Sequence, residues 1–217
     1  LSNDTETNIL VDNAAPTVSI VNPPAATNTT QRGSIVVSAS ASSDVQRVFF
    51  EYSPNNGTYW IALGTDFAGT DGWNITFDTR SVADGYSYKI RANATDRASL
   101  SSFAAMAGNF TIDNTPPVLN ITVPRPGSVV NGTINVTFSG CESSPMISID
   151  GGLPIATGSL QNYSWNTTAE FDGVHILQIN DSDAAGNNGF SQIVAVKVDN
   201  TPGVVLIVAP RDGAILG

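Results

Sequence analysis

Asp113-Asn114-Thr115-Pro116-Pro117 stands between two runs of β-forming residues, and versions of it occur twice more, as Asp12-Asn13-Ala14-Ala15-Pro16 and Asp199-Asn200-Thr201-Pro202-Gly203. The copies lie 101 and 86 residues apart. That is the size of a small β-sandwich, and too long for a solenoid unit that cannot bury a core alone. The repeat divides the 217 residues into two complete modules, 14–113 and 114–200. Residues 1–13 read as the last strand of a preceding module, and 201–217 as the first strand of a following one. The segment Val204-Val205-Leu206-Ile207-Val208-Ala209 is too apolar to be left in water, so either a longer parent chain or a neighbouring subunit is expected to cover it.

Charge narrows the partners. Lys and Arg number 9 against 19 Asp and Glu, a net charge of −10, and the basic residues form no cluster. A nucleic-acid partner requires a basic face that displaces counterions, so none is expected. No run approaches the roughly 20 apolar residues of a membrane helix, so this segment is not expected to insert into a membrane directly. Cys141 is the single cysteine. It rules out an internal disulfide framework and thiolate metal clusters, and at a strand end it reads as a small buried or half-buried residue.

Alternating apolar and polar residues, punctuated by Gly, Pro and Asn, predict strands at 17–22, 34–42, 46–53, 58–63, 72–77, 86–95 and 108–113. Asn55-Asn56-Gly57 is expected to turn a hairpin. In the second module the strands fall at 118–124, 132–140, 146–150, 153–157, 162–167, 174–181 and 190–199. No helical period interrupts them. The fold class is therefore all-β, with antiparallel sandwiches of about seven strands each.

Twelve Asn-X-Ser/Thr signals occur, at Asn3, Asn28, Asn56, Asn74, Asn93, Asn109, Asn120, Asn131, Asn135, Asn162, Asn166 and Asn180. Composition alone would give about four. Within a strand, positions i and i+2 share a face, so Asn and Thr of one signal point outward together while the residue between them points inward. Asn74, Asn93, Asn109, Asn120 and Asn135 have this form, with apolar middle residues. Asn74 is expected to match Asn166, each after a tryptophan, and Asn93 to match Asn180. The asparagines read either as N-glycan acceptors on an extracellular protein or as ordinary outward residues of a Thr-rich sandwich. Their excess favours glycans, because Asn is otherwise depleted in strands.

Several segments together carry a resemblance: Asp113-Asn114-Thr115-Pro116-Pro117 before Ile121-Thr122-Val123-Pro124, then Gly127-Ser128-Val129-Val130-Asn131-Gly132, Trp165-Asn166-Thr167-Thr168, Asp172-Gly173 and Asp183-Ala184-Ala185-Gly186-Asn187. In this combination the chain resembles prokaryotic Ig-like repeat domains, carried in tandem by surface-layer proteins, adhesins and large secreted proteins of bacteria and archaea. The resemblance implies tandem Ig-like sandwiches at the cell surface with a structural role. A surface-layer or filament protein, archaeal from the density of glycosylation signals, heads the expectations. An adhesin stalk or binding module, and a spacer of a large secreted enzyme, are the alternatives. Expected partners are copies of itself or neighbouring modules of the same chain, and N-linked glycans. The first module departs from the pattern between Asn55 and Gly72, where Tyr59, Trp60, Phe67 and Trp73 could form a binding patch, although Trp60 reads equally well as core.

Catalytic chemistry is hard to assemble. His175 is the only histidine and shares the alternation phase of Leu177 and Ile179, so it reads as a partly buried strand residue rather than a base; no catalytic residue and no enzyme activity are expected. Loops at one end of an Ig-like sandwich should bring together Asp12, Asp44 and Asp96, and likewise Asp113, Glu142 and Asp183 with Asp181 nearby. Hard oxygen ligands of this kind suit Ca²⁺, the one candidate cofactor. The same acids also suit turn and capping roles, in which they accept backbone amides.

Overall fold

The computed structural model describes residues 11–24, 29–106 and 108–206. The chain divides into two compact units, 1–115 and 116–217. In the first unit the strands are β1 (Val18–Asn22), β2 (Thr30–Gln31), β3 (Ser34–Ala41), β4 (Val45–Ser53), β5 (Ile61–Asp66), β6 (Trp73–Asp78), β7 (Gly85–Asp96), β8 (Ser101–Ala105) and β9 (Phe110–Ile112). One sheet has the order β1-β3-β6, the other β2-β9-β7-β4-β5 with β8 also on β7. The second unit repeats this with β10 (Asn120–Val123), β11 (Val129–Val130), β12 (Thr133–Ser139), β13 (Met146–Ile149), β14 (Ile155–Ala156), β15 (Asn162–Asn166), β16 (Gly173–Ser182), β17 (Asn188–Phe190) and β18 (Val194–Val198). Its sheets are β10-β12-β15 and β11-β18-β16-β13-β14, with β17 on β16. These are two β-sandwiches of one topology.

Period-two alternation decides what faces inward. Along β7 every second residue from Tyr88 through Ile90, Ala92 and Ala94 to Asp96 is buried, and β16 buries His175, Leu177, Ile179 and Asp181 in the same way. Each unit has its own apolar cluster, one around Val37, Phe50, Ile90 and Phe110, the other around Val136, Ile147, Trp165, Leu177 and Val196.

The predicted first strands, 17–22 and 118–124, are β1 and β10, and each is followed by a two-residue strand that alternation does not mark. Proline supplies no amide, so β1 stops before Pro23 and β10 before Pro124; two residues farther along rejoin the opposite sheet, β2 parallel to β9 and β11 parallel to β18. The predicted 190–199 strand is interrupted as β17 and β18, whereas predicted 108–113 is β9 alone and β8 lies outside every predicted strand. Predicted strand 58–63 begins only at Ile61, because Asn56 and Gly57 adopt positive φ and Ser53 Oγ accepts the Gly57 amide at 2.8 Å, prolonging the turn. Predicted 153–157 narrows to β14. The described part of the expected terminal strands, 11–13 and 201–206, has no regular secondary structure; the remainder lies outside the described residues.

Two glycines let the incoming segment of the second unit lie close. A Cβ at Gly140, whose φ is +85°, would stand 1.9 Å from Val118 O, and one at Gly189 would stand 2.2 Å from Pro117 O. Neither approach is compatible with a side chain.

Candidate cation site and glycosylation faces

Asp12 lies on the segment leading into β1, Asp44 in the β3–β4 turn and Asp96 at the end of β7. The fold brings them together: one carboxylate oxygen from each lies within 4.8 Å of the other two. Asp12 Oδ1 accepts the Ala14 amide at 3.1 Å, and Asp96 Oδ1 accepts the Leu100 amide at 2.9 Å. Asp96 is completely buried, yet its Oδ2 has no hydrogen-bond partner, and Asp44 Oδ1 is also buried and unpartnered. Among the described residues no ion pair neutralises these three acids.

The acids of the second unit behave differently. Asp181 collects the amides of Glu142 (2.6 Å), Ser143 (3.0 Å) and Ser144 (2.9 Å), with Ser143 Oγ at 3.1 Å. Burial raises the Asp181 pKa, but the backbone amides of Ser143, Glu142, Ser144 and Ser182 outweigh it and hold the carboxyl below its ordinary range. Asp183 accepts the Asn187 amide at 2.8 Å on Oδ1 and Asn187 Nδ2 at 2.9 Å on Oδ2. Asp181 and Asp183 therefore close loops, Glu142 contributes its backbone amide to Asp181, and the three form no three-carboxylate group among the described residues. Asp113 belongs to the first unit, where its Oδ1 accepts the Thr115 amide at 3.1 Å.

His175 is wholly buried, more so than alternation suggested. It stands in β16 where β7 has Tyr88. Tyr88 Oη donates to Ala83 O at 2.6 Å, and His175 Nε2 meets the corresponding Phe171 O at 2.9 Å. Nδ1 lies 2.6 Å from Asp150 Oδ2. Both neighbours are acceptors, so only the imidazolium satisfies both ring nitrogens. Burial lowers its pKa, but the Phe171 carbonyl and the Asp150 carboxylate outweigh that and raise it above the ordinary 6.5. The pair holds the loop at Asp150, whose other oxygen accepts the Ile176 amide at 2.8 Å. Cys141 is half-buried, and burial followed by the Asp181 charge pushes its thiol up to about 11, which leaves it unreactive at neutral pH.

The glycosylation signals can be placed at ten positions; Asn3 and Asn28 lie outside the described residues. Asn56, Asn120, Asn131, Asn135, Asn162 and Asn166 are exposed, and Asn74, Asn93, Asn109 and Asn180 are half-buried. Asn93 is flanked across the sheet by Phe49 and Phe103, and its Oδ1 is covered. Strand register corrects one correspondence. Ser34 pairs with Asp78 and Thr133 with Asn166, so Asn166 is the counterpart of Asp78, while Asn74, opposite Ser38, matches Asn162, opposite Thr137. The tryptophan before each asparagine was a misleading landmark, because Trp165 fills the place of Phe77.

Of the aromatic candidates, Tyr59 and Phe67 are exposed. Trp60 is not core; it is half-buried under the Arg91 guanidinium, 4.5 Å from its ring. Trp73 packs partly on the apolar cluster and, with Phe67, Gly69 and Arg97, lines an open depression of about 680 Å³.

A sequence profile described as a bacterial Ig domain matches residues 16–92, and one described as a bacterial Ig-like domain (group 3) matches residues 71–150, running across the division at Thr115. The chain is built of tandem Ig-like domains. Among solved structures, fibronectin(III)-like modules of Clostridium thermocellum CbhA share 18% identity over 85% of this chain and 94% of that one, with a TM-score of 0.43. A structure titled for host cell surface retention of a 1.5-MDa bacterial ice-binding adhesin shares 14% identity over 86% of this chain and 65% of that one, with a TM-score of 0.44. No curated protein sequence matches. Ig-like modules are typically non-catalytic, and no helix among the described residues is long and apolar enough to cross a membrane.

Proposed function

We propose that these Ig-like modules are extracellular structural segments of a prokaryotic surface-layer or filament protein, N-glycosylated on their outer faces and without catalytic function. The density of glycosylation signals favours an archaeal source. The observation that most supports this reading is that none of the ten described acceptor asparagines is fully buried, although both chain neighbours of Asn93, Asn120, Asn166 and Asn180 are. Acidic charge with glycans keeps the faces of the modules hydrated. Partners are then neighbouring modules and further copies of the same chain.

The outer-face row of Trp60, Arg91 and Phe103, with Tyr59 exposed beside it, favours a second reading as an adhesin segment. Imaging the cell surface with an antibody to this segment, before and after removal of the surface coat, tests the first reading. An ordered coat that carries the label and loses it with the coat is expected. A label confined to the cytoplasm contradicts the reading, and sparse labelled projections favour the adhesin.

A further inference from the structure

We propose that Asp12, Asp44 and Asp96 form a Ca²⁺ site that belongs to the first module alone and ties the incoming segment to two of its loops. Three carboxylates within 4.8 Å of one another, without an ion pair among the described residues, repel each other, most of all at Asp96, the fully buried member. Two of their oxygens, Asp96 Oδ2 and Asp44 Oδ1, are buried with no hydrogen bond to either. Buried polar atoms are rarely left so.

The second module shows what the first lacks. Asp96 and Asp183 close the same four-residue turn: each receives the amide of residue i+4 on Oδ1, and the backbone amide of each aspartate donates to the carbonyl of that residue, Leu100 or Asn187. In the second module Asn187 Nδ2 fills the other oxygen of Asp183. In the first module the equivalent position is Leu100, which has no side-chain donor; Asp96 Oδ2 is left without a partner, and one carboxylate oxygen of Asp96 lies within 4.8 Å of those of Asp12 and Asp44. One module completes its acid with an amide, whereas the other is left with a cluster of hard oxygen donors carrying three formal negative charges.

Ca²⁺ fits this donor set. It takes carboxylate oxygens in irregular geometry and completes its shell with water, whereas Mg²⁺ demands near-octahedral order and the soft metals prefer nitrogen or sulfur. The incoming segment is already held beside the loops, since Thr17 and Ser42 exchange hydrogen bonds and Ser102 Oγ donates to Pro16 O at 2.5 Å. A cation at Asp12 would extend that hold toward the chain's approach to β1.

The test uses the full chain, stripped with chelator and titrated with CaCl₂ by calorimetry, with thermal unfolding followed alongside. One equivalent is expected to bind with a dissociation constant of about a millimolar or tighter, and the first module alone should gain roughly 10 °C at a hundredfold excess over that constant. Asp44→Asn should weaken binding at least tenfold while melting in chelator no lower than the parent, because it removes a repelling charge. Leu100→Asn, which supplies the missing donor, should raise stability in chelator and weaken calcium binding. The proposal is overturned by an absence of calcium binding, by Asp44→Asn binding as tightly as the parent, or by a calcium-dependent shift confined to the second module.

Discussion

Asn114 Oδ1 lies 3.1 Å from Thr79 Oγ1, and the pair recurs in the second module as Asn200 and Thr167 at the same distance. The asparagine of the repeated joint is thus a latch. Its oxygen also accepts the Gly33 amide, at 2.8 Å, as Asn200 accepts that of Gly132, at 3.2 Å. Its amide nitrogen donates to the carbonyl of the threonine, and Asp84 or Asp172 receives the asparagine backbone amide together with the following threonine hydroxyl. The linker sequence recurs because the last strand must be fastened to the 3₁₀ turn after β6 or β15.

Asn114→Ala removes several of these bonds and takes away the acceptor of the Gly33 amide, while Thr79 Oγ1 keeps the Gly33 carbonyl at 2.8 Å. Unfolding of the first module in denaturant should show a loss of about 2 kcal/mol, with Asn200→Ala doing the same to the second and neither affecting the other. Equal destabilisation of both modules by one substitution would mean that they do not unfold independently.

The His175 pair predicts an alkaline weakness. Because its folded pKa is raised, its stabilisation is fully present below the unfolded value near 6.5 and is lost as pH rises through the folded value. Proton-detected titration should place the imidazole above 6.5 and show it falling in Asp150→Asn. His175→Tyr, which copies Tyr88 and can reach the Phe171 carbonyl, should fold and abolish this pH dependence.

Asp181 predicts the opposite trend in acid. Its folded pKa is lowered, so its contribution is present above the ordinary 3.8 and is lost as pH falls through the folded value. Asp181→Asn, which weakens the acceptance of three backbone amides, should cost roughly 2–3 kcal/mol at neutral pH, measured by urea unfolding, and should flatten the second module's acid profile.

Glycopeptide mapping of protein from its native source should find Asn120, Asn131, Asn135, Asn162 and Asn166 occupied, with Asn93 least occupied because its side chain is covered. Occupancy of none of the ten would remove the glycan component of the proposed function.

The fold was legible because alternation and turn residues are local signals: Ile90 to Asp96 and Leu177 to Asp181 follow period two without exception. The convergence of Asp12, Asp44 and Asp96 was legible through topology, since loops at one end of a sandwich must meet. What alternation could not give was the partner of each oxygen. Nothing in the residue types distinguishes Asp96 from Asp183 until Leu100 and Asn187 are seen at the same place in the turn. The pairing of Asn74 with Asn166 failed for a related reason, as a neighbouring tryptophan does not report register. The two-residue strands β2 and β11 were too short to carry any periodic signal.

The account rests on each unit having its own core and its own latch. Calorimetric unfolding of residues 11–115 and 116–206 as separate chains, beside the full chain, tests this most directly. Two cooperative transitions that together reproduce the full-chain trace are predicted. Halves that remain unfolded, or a single transition seen only in the full chain, would contradict it.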